Sequence, residues 1–268
     1  MKRLVNYILS KIERGFTMVN IPKTIYFNFR SLPFRHAIKF PIFIYGKCRF
    51  ISLYGKVEII SPCKTAMIKI GITDPVRSIK ETTYIENKGC IKFGHSVVIR
   101  RGCKISTSMN GIFEMHNHNY MGDNCTVICH HSIVIDKYVR IGNNTSFMDT
   151  DFHYLINIKT REVNKNTESV FIGEQSWIGS WVVIKKGAKI PNNTIVAGPY
   201  SMIAKDYRSK IEKYSVIAGC PAKIVASGLR RISNQDSENQ IREHYRHKTK
   251  VFISEESNND IFCLPQEA

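Results

Sequence analysis

Between Phe171 and Lys205 the chain reads FIGEQSWIGSWVVIKKGAKIPNNTIVAGPYSMIAK, and an aliphatic residue returns at every sixth position: Ile172, Ile178, Ile184, Ile190, Val196 and Met202. Four places after each stands a mostly small residue, Ser176, Val182, Ala188 and Thr194, with Tyr200 as the exception. This period predicts a backbone that makes a short strand and a turn in each hexad and returns one aliphatic side chain to the interior. A single hexad has nothing to cover its apolar face, so only stacked copies bury the row. Gly173 and Gly179 directly follow an aliphatic, which suits a turn needing positive φ. A helix fits poorly. Six-residue steps walk around a 3.6-residue helix, and Gly173, Gly179, Gly187, Pro191 and Pro199 would interrupt it. An ordinary β-sandwich would need the spacing by coincidence. The expected class is all-β, a parallel β-helix of hexapeptide repeats.

The same step runs upstream through Phe93, Ile99 and Ile105, slips at IFEMHNHN, and resumes at Met115, Met121 and Val127. After a two-residue slip at CHHSIVI it continues through Ile135, Ile141, Phe147 and His153. His153 and Ile172 are then separated by 19 residues, one more than three hexads. The polar YLINIKTREVNKNTESV between them is expected to be a loop over 154–170 extruded from the coil, where function tends to sit.

The β-helix is expected over 85–207, with strands at 42–84 capping it and a closing coil at 208–228. A polar tail at 229–268, partly helical, offers no function. Residues 1–20 predict an amphipathic helix with Leu4, Tyr7, Ile8, Ile12 and Phe16 on one face. The following IPKTIYFNFRSLPFRHAIKFPIFIYG is too apolar for a linker, and the whole segment 1–41 either packs under the domain or meets a bilayer surface.

A net charge of +17 over 268 residues adds a partner question. Nothing resembles a zinc finger, an RNP sequence or a basic helix with interleaved aromatics, so nucleic acid is not expected. A basic surface also attracts phosphorylated small molecules or an acidic membrane face. No run approaches the ~18 apolar residues of a membrane span. Lys11, Glu13 and Arg14 stand where a signal peptide would be apolar, so a cytoplasmic location is expected. The eight cysteines contain no CxxC pair, and Cys103 and Cys125 fall on the small position of a hexad, as free thiols of a reducing compartment would.

Candidate chemistry centres on FMDTDFH. His153 falls on the inward register, with Asp151 and Asp149 at two-residue steps before it, and strand residues two apart share a face. Unpartnered in a core they would be costly. Beside a loop, a carboxylate bonded to one imidazole nitrogen would leave the other free as a base. The competing reading is a histidine satisfied by its neighbours at the end of a coil.

MDTDFH, the loop, VFIGEQSWIGSWVVIKKGAKI, SMIAKD and IAGCPAKIV together, in order, resemble the bacterial hexapeptide-repeat O-acetyltransferases: maltose, galactoside and nodulation types and capsule or O-antigen relatives. The likeness is strong from about Ile112 to Ala226. It implies a left-handed β-helix, three hexads per coil, a homotrimer with sites between subunits, and acetyl-CoA as donor. It matches His153 to the catalytic base. Ser180 with backbone N–H groups matches the oxyanion donors, and Trp177 the cofactor side. Gly198, Ala204, Lys205 and Lys223 match further cofactor positions. Tyr120, Asn124 and His130 or His131 match the acceptor side.

Several positions depart from that pattern. Tyr154 replaces the usual Pro after the histidine, the run Ala197–Gly198–Pro199–Tyr200–Ser201 is one residue longer, Ala204 lacks the usual hydroxyl, and Ala226 replaces a second basic residue. A zinc lyase using His116, His118, His130, His131 and His153 lacks its family's ordered spacing, so no metal is expected. A passive scaffold leaves the His153 cluster unexplained. Sugar N-acyltransferases usually carry an added nucleotide-binding domain, and residues 1–84 hold no GxGxxG fingerprint. The sequence reading is therefore direct transfer of acetyl to a saccharide hydroxyl in capsule or O-antigen assembly, at the cytoplasmic face of the inner membrane. Asp151 or Asp149 is expected to orient His153. No serine or cysteine lies within MDTDFH to form an acetyl-enzyme.

Overall fold

A computed structural model of the chain describes residues 18–73 and 81–264. The amphipathic helix expected over 1–20 lies essentially outside the described residues. Strands fall into three sheets of nine, seven and six strands, visited in rotation, so the chain winds as a left-handed parallel β-helix. In one coil, Arg140–Ile141 lies on face one, Ser146–Met148 on face two and Val170–Ile172 on face three.

The repeat builds the core directly. On face one Ile44, Ile70, Ile99, Met121, Ile141, Ile178, Val196 and Ile217 stand in register from coil to coil. None is more than 1% exposed. Each fully buried aliphatic contributes roughly 1.5–3 kcal/mol. Cys103 and Cys125 occupy the small positions, their thiols donating to the carbonyls of Gly122 and Gly142 at 3.1 Å. Coiling begins at Ile42, earlier than the clean six-residue step. The two-residue slip is a widening: Val127 and Cys129 both point inward from one strand, Ile133 and Ile135 from the next.

The structure corrects the end of the ladder. Ile203, not Met202, pairs with Ile184 and is buried. The extra residue of the Ala197–Ser201 run falls between Val196 and Tyr200: Tyr200, at φ 64° and 72% exposed, takes the turn position that Trp181 holds at φ 62° one coil earlier, and its N donates to Trp181 O at 2.8 Å. Ser201 then fills the small position, its hydroxyl accepting from Gly219 N at 2.9 Å. One inserted residue explains both anomalies. Ile203→Ala is expected to cost about 2–5 kcal/mol in urea denaturation, and Met202→Ala well under half as much.

Helix α1 (Ile21–Ser31) closes the N-terminal end. Its Thr24 and Asn28, one helical turn apart, satisfy the outer strand: Thr24 Oγ1 accepts from Ile44 N at 3.0 Å, and Asn28 Nδ2 donates to Ile42 O at 2.6 Å. An exposed strand edge is thereby covered. Helix α2 (Phe34–Ala37) follows. At the other end Lys223–Ala226 pairs antiparallel with Val216–Ala218. The tail then runs back along the coil as α3 (Gln235–His247) and α4 (Asn259–Cys263). Arg231 anchors it through Tyr138 O at 3.3 Å. Arg230 bonds Gln175 and pairs with Asp260 at 2.6 Å.

Candidate active site

After Met148 the chain leaves the corner between faces two and three and returns at Val170. This loop is ordered. Thr150 bridges Thr167, Ile156 bridges Val163, and Asp151 N donates to Asn166 O at 2.8 Å. The bridge at Thr150 pulls the chain off the strand before residue 153, so His153 is exposed on a bend and not on the inward register. Its backbone N donates to Asp151 O at 2.7 Å. Among the described residues no hydrogen bond occupies its imidazole.

The expected shared face of the three polar residues is likewise corrected. Asp149 is fully buried, its carboxylate accepting from His130 N and His131 N at 2.7 Å each and facing Cys129 Sγ at 3.5 Å. It holds the turn of the preceding coil and does not orient His153. Asp151 pairs instead with Lys186 at 2.8 Å and Lys185 at 3.5 Å. The hydrogen bond from Lys186 holds its carboxyl below the usual range, with the charges of Lys186 and Lys185 adding to it. Stability from this pairing is present above the ordinary carboxylate pKa and is lost as pH falls through the lowered one. The His130 ring meets Phe152 edge-on at 5.6 Å, so His130, His131, Asp151 and His153 gather at one corner. The Lys185–Lys186 partnership with Asp151 was not foreseen. Only the three-dimensional stacking of two coils reveals it.

A second cluster occupies the corner between faces one and two. Ser180 Oγ accepts from Asn143 N at 3.0 Å, which leaves its own O–H to donate outward. A Cβ on Gly142 would lie 2.5 Å from Ser180 N, and one on Gly198 2.1 Å from Ser180 O, so glycine permits this close stacking. Asn124 takes φ 58° at the same corner. Tyr120, Arg140 and Trp177 form an outward column on face one beside it. Trp181 and Tyr200 add an exposed aromatic ridge, ring centroids 6.3 Å apart.

Ala204 and Lys205 follow the last face-two strand and are exposed near the His153 corner, while Lys223 stands exposed on the terminal strand. Face two therefore separates His153 from Ser180 within one chain. A three-residue strand such as Ser146–Met148 alone spans about 10 Å.

No family model matches the chain. WbbJ of Escherichia coli strain K12, named for an O-acetyl transferase of lipopolysaccharide biosynthesis, is 26% identical over 189 residues, 68% of this chain and 89% of WbbJ. Galactoside O-acetyltransferase of the same strain is 29% identical over 123 residues, 44% of this chain and 53% of that protein. The chain is similar to the hexapeptide-repeat O-acetyltransferases. A solved galactoside acetyltransferase in complex with coenzyme A aligns over 87% of this chain and 86% of its own, at 18% identity and a TM-score of 0.39.

The remaining histidines have local partners. His116 bonds Asp136 at 3.1 Å and Glu114 at 3.3 Å, and His118 stacks on Tyr138 at 4.7 Å. No group of three or more His, Cys, Asp or Glu among the described residues is arranged to hold a metal ion.

Proposed function

We propose that this protein is an acetyl-CoA-dependent O-acetyltransferase whose acceptor is a saccharide hydroxyl, working in capsule or O-antigen assembly. The observation that carries the reading is His153: an imidazole without a hydrogen-bond partner among the described residues, held at the mouth of an ordered loop on a hexapeptide β-helix. A hydroxyl is a weak nucleophile. The imidazole takes its proton as the oxygen attacks the thioester carbonyl, and a tetrahedral oxyanion forms. Ser180 O–H and neighbouring backbone N–H groups stabilise that charge. Collapse expels the coenzyme A thiolate, which receives the proton from the imidazolium, and the acetyl ester leaves on the sugar. Asp151 acts through the loop backbone it shares with His153, not through the ring.

Trp177, Gly198, Ala204, Lys205 and Lys223 form the donor side in this reading, and Tyr120, Asn124, His130 and His131 the acceptor side. A homotrimer completes the site. His153 of one copy meets Ser180 of the next, and this second copy covers the loop's exposed Phe152, Tyr154, Leu155 and Ile158 and the ridge of Trp181 and Tyr200. Co-expressed His153→Ala and Ser180→Ala chains, each nearly inactive, are expected to recover about a quarter of wild-type activity through mixed sites. A mixture no more active than the separate variants would refute shared sites.

The protein works in the cytoplasm at the membrane surface. No described helix is long and apolar enough to cross a membrane. Ile21, Ile25, Phe29, Phe34 and Ile38 are exposed on the N-terminal cap. Lys23, Arg30, Arg35 and Lys39 accompany them, and no Asp or Glu occurs between residues 18 and 57. Such a face suits anionic lipid. The full chain is expected to sediment with vesicles containing phosphatidylglycerol and to stay in solution with phosphatidylcholine alone; equal recovery with both would remove the membrane contact.

A further inference from the structure

The tail that carries no motif builds a cleft against face one. Arg140, Trp177 and Tyr120 form its floor, Asn143 and Ser180 one side, and Arg231, Glu238 and Arg242 the other. Its volume is about 790 Å³, within the range of small-molecule sites. Three guanidinium groups face one carboxylate there, and that carboxylate is already taken: Glu238 pairs with Arg242 at 2.8 Å. Arg140 and Arg231 make no ion pair among the described residues. Arg140 lies over the Tyr120 ring at 5.1 Å, and the buried Nε of Arg231 has no hydrogen-bond partner. Burial, with the Arg140 charge adding to it and Glu238 opposing, pushes the Arg231 guanidinium down to about 10. Two neighbouring cations whose nearby carboxylate is already paired with a third are unfavourable in the free protein. An anion resolves that, and guanidinium forks match tetrahedral oxyanions in charge and geometry.

We propose that this cleft binds a phosphate group, with Arg140 and Arg231 as its ligands and Arg242 at the rim, while Trp177 and Tyr120 offer ring faces to the part of the ligand bearing it. The tail is thus a working wall of the binding surface. Phosphate reaches such a site from two sources, the phosphates of coenzyme A or the diphosphate that activates a sugar acceptor. The acetyltransferase reading bears only on which source applies; the site itself rests on the arginines.

Calorimetry on the full chain at low salt tests it with inorganic pyrophosphate, uridine diphosphate and coenzyme A. Wild type is expected to bind pyrophosphate saturably, with Arg140→Gln and Arg231→Gln each weakening it about tenfold or more. Arg242→Ala is expected to weaken it less. The melting temperature of unliganded Arg140→Gln is expected to stay the same or rise, because among the described residues Arg140 makes no ion pair to lose and lies beside the Arg231 charge; a purely structural arginine would lower it. If Arg140→Gln weakens uridine diphosphate and spares coenzyme A, the phosphate is the acceptor's; the reverse makes it the donor's. Absence of binding to wild type, or identical affinities in all variants, would overturn the site. Coenzyme A failing to bind while pyrophosphate does would remove the acetyltransferase reading and leave this one standing.

Discussion

His153→Ala is expected to lower acetyl transfer by roughly 10²–10⁴-fold, the usual contribution of a positioned general base, and to leave the melting temperature unchanged. The side chain is exposed, and among the described residues it makes no hydrogen bond. Substrate binding does not need the proton transfer either, so the KM for the donor is expected to move little while kcat collapses. Initial rates with labelled acetyl-CoA over a set of saccharides, beside a thermal melt, check both halves. Full activity in the variant would remove His153 from the chemistry. A lowered melting temperature with proportionate loss of activity would make it a structural residue.

Asp149→Ala carries an expected stability loss of about 2–5 kcal/mol, because two part-buried backbone N–H groups lose a fully buried acceptor at once. Asp149→Asn is expected to be nearly as damaging, since its amide N would face a donor at one of the two positions. Asp151→Asn, breaking exposed pairs with Lys185 and Lys186, is expected to cost at most about 1 kcal/mol. Urea titrations of the three variants decide this by their midpoints at constant slope. If Asp149→Asn were as stable as wild type yet inactive, its place as the anchor of the His130–His131 turn would be wrong.

These contrasts show what sequence could and could not reveal. Ile172, Ile178 and their equivalents were legible because every coil repeats the same burial requirement, so six-residue spacing is itself the fold. Met202 misled because one inserted residue flips a strand's faces, and every coil places a positive-φ residue before its small position, Trp181 as well as Tyr200, so the turn residues do not mark where the insertion falls. Asp149 misled because proximity in sequence suggested a shared face with His153, whereas its partners come from the preceding coil. Coil-to-coil neighbours lie about twenty residues away, beyond the reach of a local motif. The tail was opaque for a related reason: Arg231 and Glu238 acquire meaning only beside Arg140 and Trp177.

Titration of acetyl-CoA into the purified protein by calorimetry tests the central claim most directly, because it needs no knowledge of the acceptor. Saturable binding near one site per chain is predicted, with the same affinity in His153→Ala, whose imidazole serves the hydroxyl and not the donor. Wild-type protein that is folded and takes up no acetyl-CoA at millimolar concentration would contradict the acetyltransferase account and leave the β-helix without the reaction assigned to it.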